Sequence, residues 1–201
     1  SLFGKKFLKK HMLQGALNYN RDALRYYGYN PEEYSAYNKD NTKQWFSKSG
    51  ADIRLMSFIK DSTKLNYETN LSYYNLMDKG GLMENNGKLS VNFRKYYLPK
   101  DSSLITDQII RLHTSLDYNN FYNGIEAKGN GLFMLHPHFT ASGDKFRINF
   151  GGSMFIEASE NTASFHFYPN AHIKYNVLSD MIIPYAGIKG GIARTNYNSL
   201  T

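Results

Sequence analysis

The feature that most constrains this chain is a strict two-residue alternation over residues 65–76, Leu-Asn-Tyr-Glu-Thr-Asn-Leu-Ser-Tyr-Tyr-Asn-Leu. Leu65, Tyr67, Thr69, Leu71 and Tyr73 fall on one side, and Asn66, Glu68, Asn70 and Ser72 on the other. Side chains alternate faces along a strand, so the stretch has one apolar face and one wet face. Helical spacing would set Glu68 beside Leu65 and Ser72 beside Leu76, and no apolar stripe survives it. A soluble strand runs to about 5–6 residues, whereas a tilted membrane-spanning strand needs about 9–11.

The same alternation returns at 13–19, 51–59, 89–93, 110–118, 131–141, 146–156, 165–177 and 181–192. The expected fold is all-β: an antiparallel up-and-down meander of about nine long strands, part or most of a transmembrane β-barrel. Pro137 removes a ladder donor, so a bulge or an edge is expected there. Residues 1–10, with Lys5, Lys6, Lys9 and Lys10, read as a solvated entry segment. Polar stretches at 27–44, 78–86, 120–130 and 157–162 read as long loops. Stretches at 60–64, 99–103, 142–145 and 179–180 read as short turns, and residues 194–201 as the start of another loop. One long end and one short end is the arrangement of an outer-membrane barrel. The charges lean the same way: Lys9, Lys10, Lys60, Lys64, Lys100 and Lys145 gather at the turns, and Glu32, Glu33, Asp40, Asp78, Glu84, Glu126 and Glu160 at the loops, which also hold Lys39, Lys43 and Lys128.

The apolar faces carry almost no charge; Arg21, Lys95 and Lys189 are the exceptions, each near a strand end where a long side chain can snorkel. The wet faces are rich in Asn, Ser and Tyr rather than in the Lys and Glu of a soluble surface. A soluble barrel binding a small apolar ligand inside is the alternative, since it too would segregate its faces. Aromatic residues make up 15% of the chain, and Trp45 with the Tyr26-Tyr27 and Tyr96-Tyr97 pairs sits where strands end, as interfacial aromatic girdles do.

The chain has no Cys, which excludes disulfides, thiolate metal sites and thiol nucleophiles. Its formal net charge of +7 could serve nucleic acid, anionic lipid or an anionic solute. No motif of a nucleic-acid reader accompanies the charge, so none is expected as a partner. No apolar run reaches the about 18 residues of a membrane helix. Residues 3–10 are basic, but 11–20 offer no signal-peptide core. With Ser1 in place of Met, the 201 residues read as one β-barrel region, an excerpt of a longer chain or a mature protein.

Arg54, Arg94, Arg111, His113, Arg147, His166, His172 and Lys174 fall on wet faces and are the candidates for solute contact in a basic lumen. Ion pairing with Asp52, Glu68, Asp117 and Glu157 is the competing reading. His136-Pro137-His138 puts two imidazoles on one strand face, but a metal needs three or four ligands, and only His166 or His172 could join. His113 and Asp117 share a face, as a membrane hydrolase's acid–base pair would, without an identifiable nucleophile. Gly187-Ile188-Lys189-Gly190-Gly191 lacks the ending of a phosphate loop. No catalytic residue, metal or cofactor is assigned, and no enzyme activity is expected.

Residues 3–29 (FGKKFLKKHMLQGALNYNRDALRYYGY) and 184–200 (PYAGIKGGIARTNYNSL) resemble the barrel of outer-membrane proteins of the TonB-dependent-receptor-like class. That resemblance implies an antiparallel barrel in the outer membrane of a Gram-negative bacterium, lipid as its surroundings, and solute uptake or surface attachment with partner proteins of an uptake complex. The chain departs from the class in having no plug, no energy-coupling box and no aromatic-terminated last strand. Nine strands also fall short of the about 22 of a full receptor barrel.

Overall fold

The computed structural model describes residues 1–25, 43–57, 64–97, 104–160, 162–177, 181–192 and 198. Ten strands form one antiparallel sheet in strict sequence order. They are β1 (Leu2–Phe7), β2 (His11–Arg25), β3 (Lys43–Ser57), β4 (Asn66–Asp78), β5 (Met83–Tyr97), β6 (Asp107–Tyr122), β7 (Ala127–Ser142), β8 (Phe146–Ser159), β9 (Thr162–Tyr175) and β10 (Tyr185–Lys189). The all-β meander read from the alternation is therefore what the chain forms. Its eight inner strands run 13 to 16 residues, well beyond a soluble strand. Among the described residues, β1 and β10 each pair with one strand only.

Several sequence expectations need correction. The charged entry segment is an edge strand, with Lys5 opposite Gln14 and Lys6 opposite Leu13. Lysine on both faces hides the period, and is a usual guard for an edge. The stretches expected as loops at 78–86, 120–130 and 157–162 are mostly strand, leaving connections of only 79–82, 123–126 and 160–161. At the opposite end the fully described connections, 8–10 and 143–145, are three residues each, as short as expected, and those after β3, β5 and β9 include residues outside the described ones. The fully described connections expected to be long, 79–82 and 123–126, are therefore about as short as the turns at the other end. The expected features at Tyr26-Tyr27, 27–42, 60–63, 99–103, 179–180 and 194–201, Asn198 excepted, lie outside the described residues, as do Lys60, Lys100, Glu32, Glu33 and Asp40. The last strand is short, five residues rather than a full 181–192.

Pro137 makes neither an edge nor a bulge. β7 is an interior strand, and the register to β8 is the same before the proline (Leu135 opposite Met154) and after it (His138 opposite Gly151). The ladder only lapses between those pairs, because Pro has no N–H to give. Gly151 borders the lapse: a Cβ there would run into the Pro137 carbonyl oxygen and lie 3.2 Å from the His138 Cα. Gly151→Ala is therefore expected to destabilise the sheet by about 1–3 kcal/mol. Gly87→Ala, whose Cβ meets nothing within 4 Å, should be near neutral. Urea unfolding of the two variants side by side measures the difference.

The register sorts every side chain onto one of two faces. On one face Ile53, Leu71, Leu89, Leu116, Phe133, Ile156 and Phe165 stand directly opposite one another across seven successive strands. Each is between 38% and 65% exposed. On the other face the corresponding rows hold Arg54, Asn70, Ser90 and Ser115, then Asp52, Ser72, Lys88 and Asp117. Apart from Ala141 and Gly152, the buried residues all belong to this polar face; Glu84, Asn86, Asn119, Thr140 and Ser153 are among them. Burial is thus concentrated on the polar side and the apolar side is bare, the reverse of a water-soluble core.

Asn198 shows how the polar side becomes enclosed. Its side-chain oxygen accepts a hydrogen bond from Lys48 Nζ on β3 at 2.7 Å, and its backbone N–H donates to Glu84 Oε2 on β5 at 3.0 Å. On a flat sheet Ile192 and Lys48 would lie about 40 Å apart, given strand spacings of about 4.8 Å and about 3.3 Å per residue. The chain between Ile192 and Asn198 can span at most about 22 Å, and the two side chains and their bond add about 12 Å. The sheet must therefore curl toward its polar face, which brings the chain beyond β10 to Lys48 on β3 and Glu84 on β5.

Candidate functional site

The outward face carries an apolar band with margins. On β6 it runs from Ile110 through Leu112, Thr114 and Leu116 to Tyr118, nine residues. On β8 it runs from Ile148 to Ile156. Lys95 is the sole charge on the band's outward positions in β3 to β9, and it lies at the margin with its ammonium 4.7 Å from the Tyr97 ring. Arg21, at the other margin, stacks on Trp45 at 4.7 Å. Lys189 was expected on the apolar face, but pairs with Asn170 and so faces the polar side.

Tyrosines mark the same margin. Tyr73 Oη donates to Asn85 Oδ1 at 2.9 Å, and Tyr19 Oη accepts from Ser47 Oγ at 3.1 Å. Both hydroxyls point along the outer face away from the band, toward rows where Ser49, Asn75, Asn85 and Asn120 make the outside polar as well. Each ring thus lies on the apolar band with its hydroxyl among polar groups.

The inner face holds a cleft of about 530 Å³. Its floor is a grid of three strands by two rows. Arg94, Arg111 and His138 form one row, and Asn92, His113 and His136 the next. His113 Nδ1 lies 2.5 Å from Asn92 Oδ1. His136 lies between Ser153 Oγ, 3.2 Å from its Nδ1, and Asn170 Nδ2, 3.3 Å from its Nε2. Asn170 reaches His136 across β8 because Gly151 has no side chain between them. His138 Nδ1 is buried with no hydrogen-bond partner.

All eight candidate solute-contact residues lie on this polar face, but only Arg94, Arg111 and His113 line the cleft. Arg54 lies beside it and is taken by Glu68 at 2.7 Å, as the ion-pairing reading expected. Arg147 and Lys174 face each other on β8 and β9; His172 lies opposite Asn149, and His166 opposite Phe155. Asp117 pairs with Lys88 at 3.6 Å and accepts from Asn86 Nδ2 at 2.8 Å. It stands about 13 Å along the strand from His113, so the two are not one acid–base unit. Among the described residues, no three His, Asp or Glu side chains are placed to hold a metal, so His136 and His138 lack a third ligand there.

A second inner cluster was not foreseen. Glu84 is fully buried. It accepts hydrogen bonds from Tyr74 Oη and from the backbone N–H of Asn198. With its amide turned, Asn119 also donates to Glu84 Oε1 at 3.2 Å. Lys48 caps the group, stacked 4.6 Å over the Tyr74 ring and bonded to Asn198. The sequence signal was an acid among asparagines, which reads as loop.

No protein-family model matches the chain, and neither a curated protein nor a solved structure matches it.

Proposed function

We propose that this chain is the wall of an outer-membrane β-barrel whose polar, basic interior passes or holds small solutes. The observation that carries the reading is the inverted burial: a row of exposed, uncharged large side chains across seven strands, over an interior that buries Glu, Asn, Ser and Thr. Water punishes so large a bare apolar face, whereas a bilayer rewards it. The tyrosine and tryptophan margins and the nine-residue crossings agree with the thickness of an outer-membrane apolar layer. The TonB-dependent-receptor-like resemblance of the two end segments points to the same membrane and to uptake or attachment as the task. A soluble barrel with an apolar ligand inside would need its faces exchanged.

Cysteine labelling tests this, because the chain has no Cys of its own. In lipid vesicles, Leu71→Cys is expected to react with a lipid-soluble maleimide and to resist a charged one. Asn70→Cys, on the opposite face, should react with the charged reagent. A chain that stays monodisperse without detergent, with Leu71→Cys open to the charged reagent, would overturn the membrane reading.

A further inference from the structure

The geometry points to a binding site for a small multivalent oxyanion, a phosphate or a polycarboxylate, on the grid of Arg94, Arg111, His113, His136 and His138. It rests on the reading of the inner face as a solute-bearing lumen, and adds to it which solutes and where.

Three observations carry it. First, Arg94 and Arg111 are direct cross-strand partners. Like charges placed so repel, and a strand pair with no use for the arrangement gains by losing one. Second, among the described residues no carboxylate offsets them, although the Arg94 guanidinium lies 5.5 Å over the Tyr96 ring. Among the described residues neither arginine has a carboxylate within ion-pair distance, and the acid that lines the cleft, Glu68, is engaged by Arg54 at 2.7 Å. Third, the surroundings supply further donors. His138 follows Arg111 in the row with its Nδ1 buried and unpartnered. His113 and His136 are held in place by Asn92, Ser153 and Asn170.

Two guanidiniums side by side offer up to ten N–H donors in planar forks, which suit the oxygens of phosphate or carboxylate. Two fixed charges favour an anion of charge two or more over chloride. A bound oxyanion would remove the Arg–Arg repulsion and give His138 an acceptor. The concave wall raises the local field, so a modest charge count suffices to attract anions from solution.

The test is titration calorimetry on the purified full chain in detergent micelles. Inorganic phosphate and citrate are the two probes, each against sodium chloride at matched ionic strength. Saturable binding of phosphate alone would assign the phosphoryl class, and of citrate alone the carboxylate class; either supports the site. Arg94→Gln and Arg111→Gln should each weaken that binding by about tenfold or more, the worth of a charge-assisted pair. Lys128→Gln, a rim lysine paired with Glu126, should leave it unchanged. Arg94 is solvent-exposed, so its variant is expected to fold, which circular dichroism checks. Binding that fails to saturate with both probes, or is indifferent to both arginine variants, overturns the proposal. If the chain instead proves monodisperse without detergent, the membrane reading falls, and the same titration in plain buffer still decides the site.

Discussion

Leu71→Arg is expected to destabilise the protein by about 2–4 kcal/mol in a bilayer, the cost of a cationic side chain near the midplane of a barrel's outer face. What makes the result informative is that Leu71 is 49% exposed. In a water-soluble protein, a half-exposed leucine away from any special feature could be replaced at a cost within about 0.5 kcal/mol. The two environments therefore differ by a factor of roughly ten or more in folding equilibrium. Leu71 is flanked by Ile53 and Leu89, so no carboxylate stands opposite to neutralise the new charge. Asn70→Arg, one residue along and on the polar face, should cost little. Urea unfolding in lipid vesicles, followed by gel mobility with and without heating, gives both values. Equal, small effects at the two positions would show that lipid does not cover the outer face.

Glu84→Ala is expected to cost about 3 kcal/mol or more, and to do so without touching the apolar band. The carboxylate is fully buried and gathers donors from β4, from β6 and from the chain beyond β10. Hydrogen bonds to a charged group contribute about 1.5–3 kcal/mol each, and each donor left buried and unmade costs about 1–3 kcal/mol. Removing the acid also leaves Lys48 stacked on Tyr74 with its neighbour Asn198 released. Glu84→Gln should lose less, since its amide oxygen still accepts. Chemical denaturation of the two variants ranks them. A second readout is specific to the link with Asn198: limited proteolysis near residue 198 should accelerate in Glu84→Ala and remain at the wild-type rate in Leu71→Arg. If Glu84→Ala unfolds like wild type, the cluster contributes nothing to holding the far end of the chain.

The two predictions draw on different parts of the strands, and that difference explains what could be read from the chain alone. Alternation over 65–76, 110–118 and 146–156 was enough to give the strands, their antiparallel succession and the two faces. An apolar layer on one side and a wet interior on the other force a period of two on the sequence. Where the strands pass the end of that layer, both faces are wet. Asn85, Asn86, Asn119, Asn120 and Asn130 then lose the period, and the sequence reads as loop although the ladder continues. The loops expected at 78–86 and 120–130 shrink to four residues each for the same reason. β1 was missed because an edge strand guarded by lysine carries no apolar face.

What the sequence determined is the contribution of each residue to one face or the other: the eight basic and imidazole candidates all lie on the polar side. What it could not determine is which of them meet. Register decides that. Arg94 comes opposite Arg111, and His113 opposite His136, because β5 to β7 pair without a slip, and a shift of one residue would have sent each to the other side of the sheet. Tertiary structure alone also decided that the polar face is the inner one. Alternation is symmetric between a barrel with apolar contents and one with an apolar coat. Only curvature, read from burial and from the reach of Asn198 to Lys48 and Glu84, tells them apart.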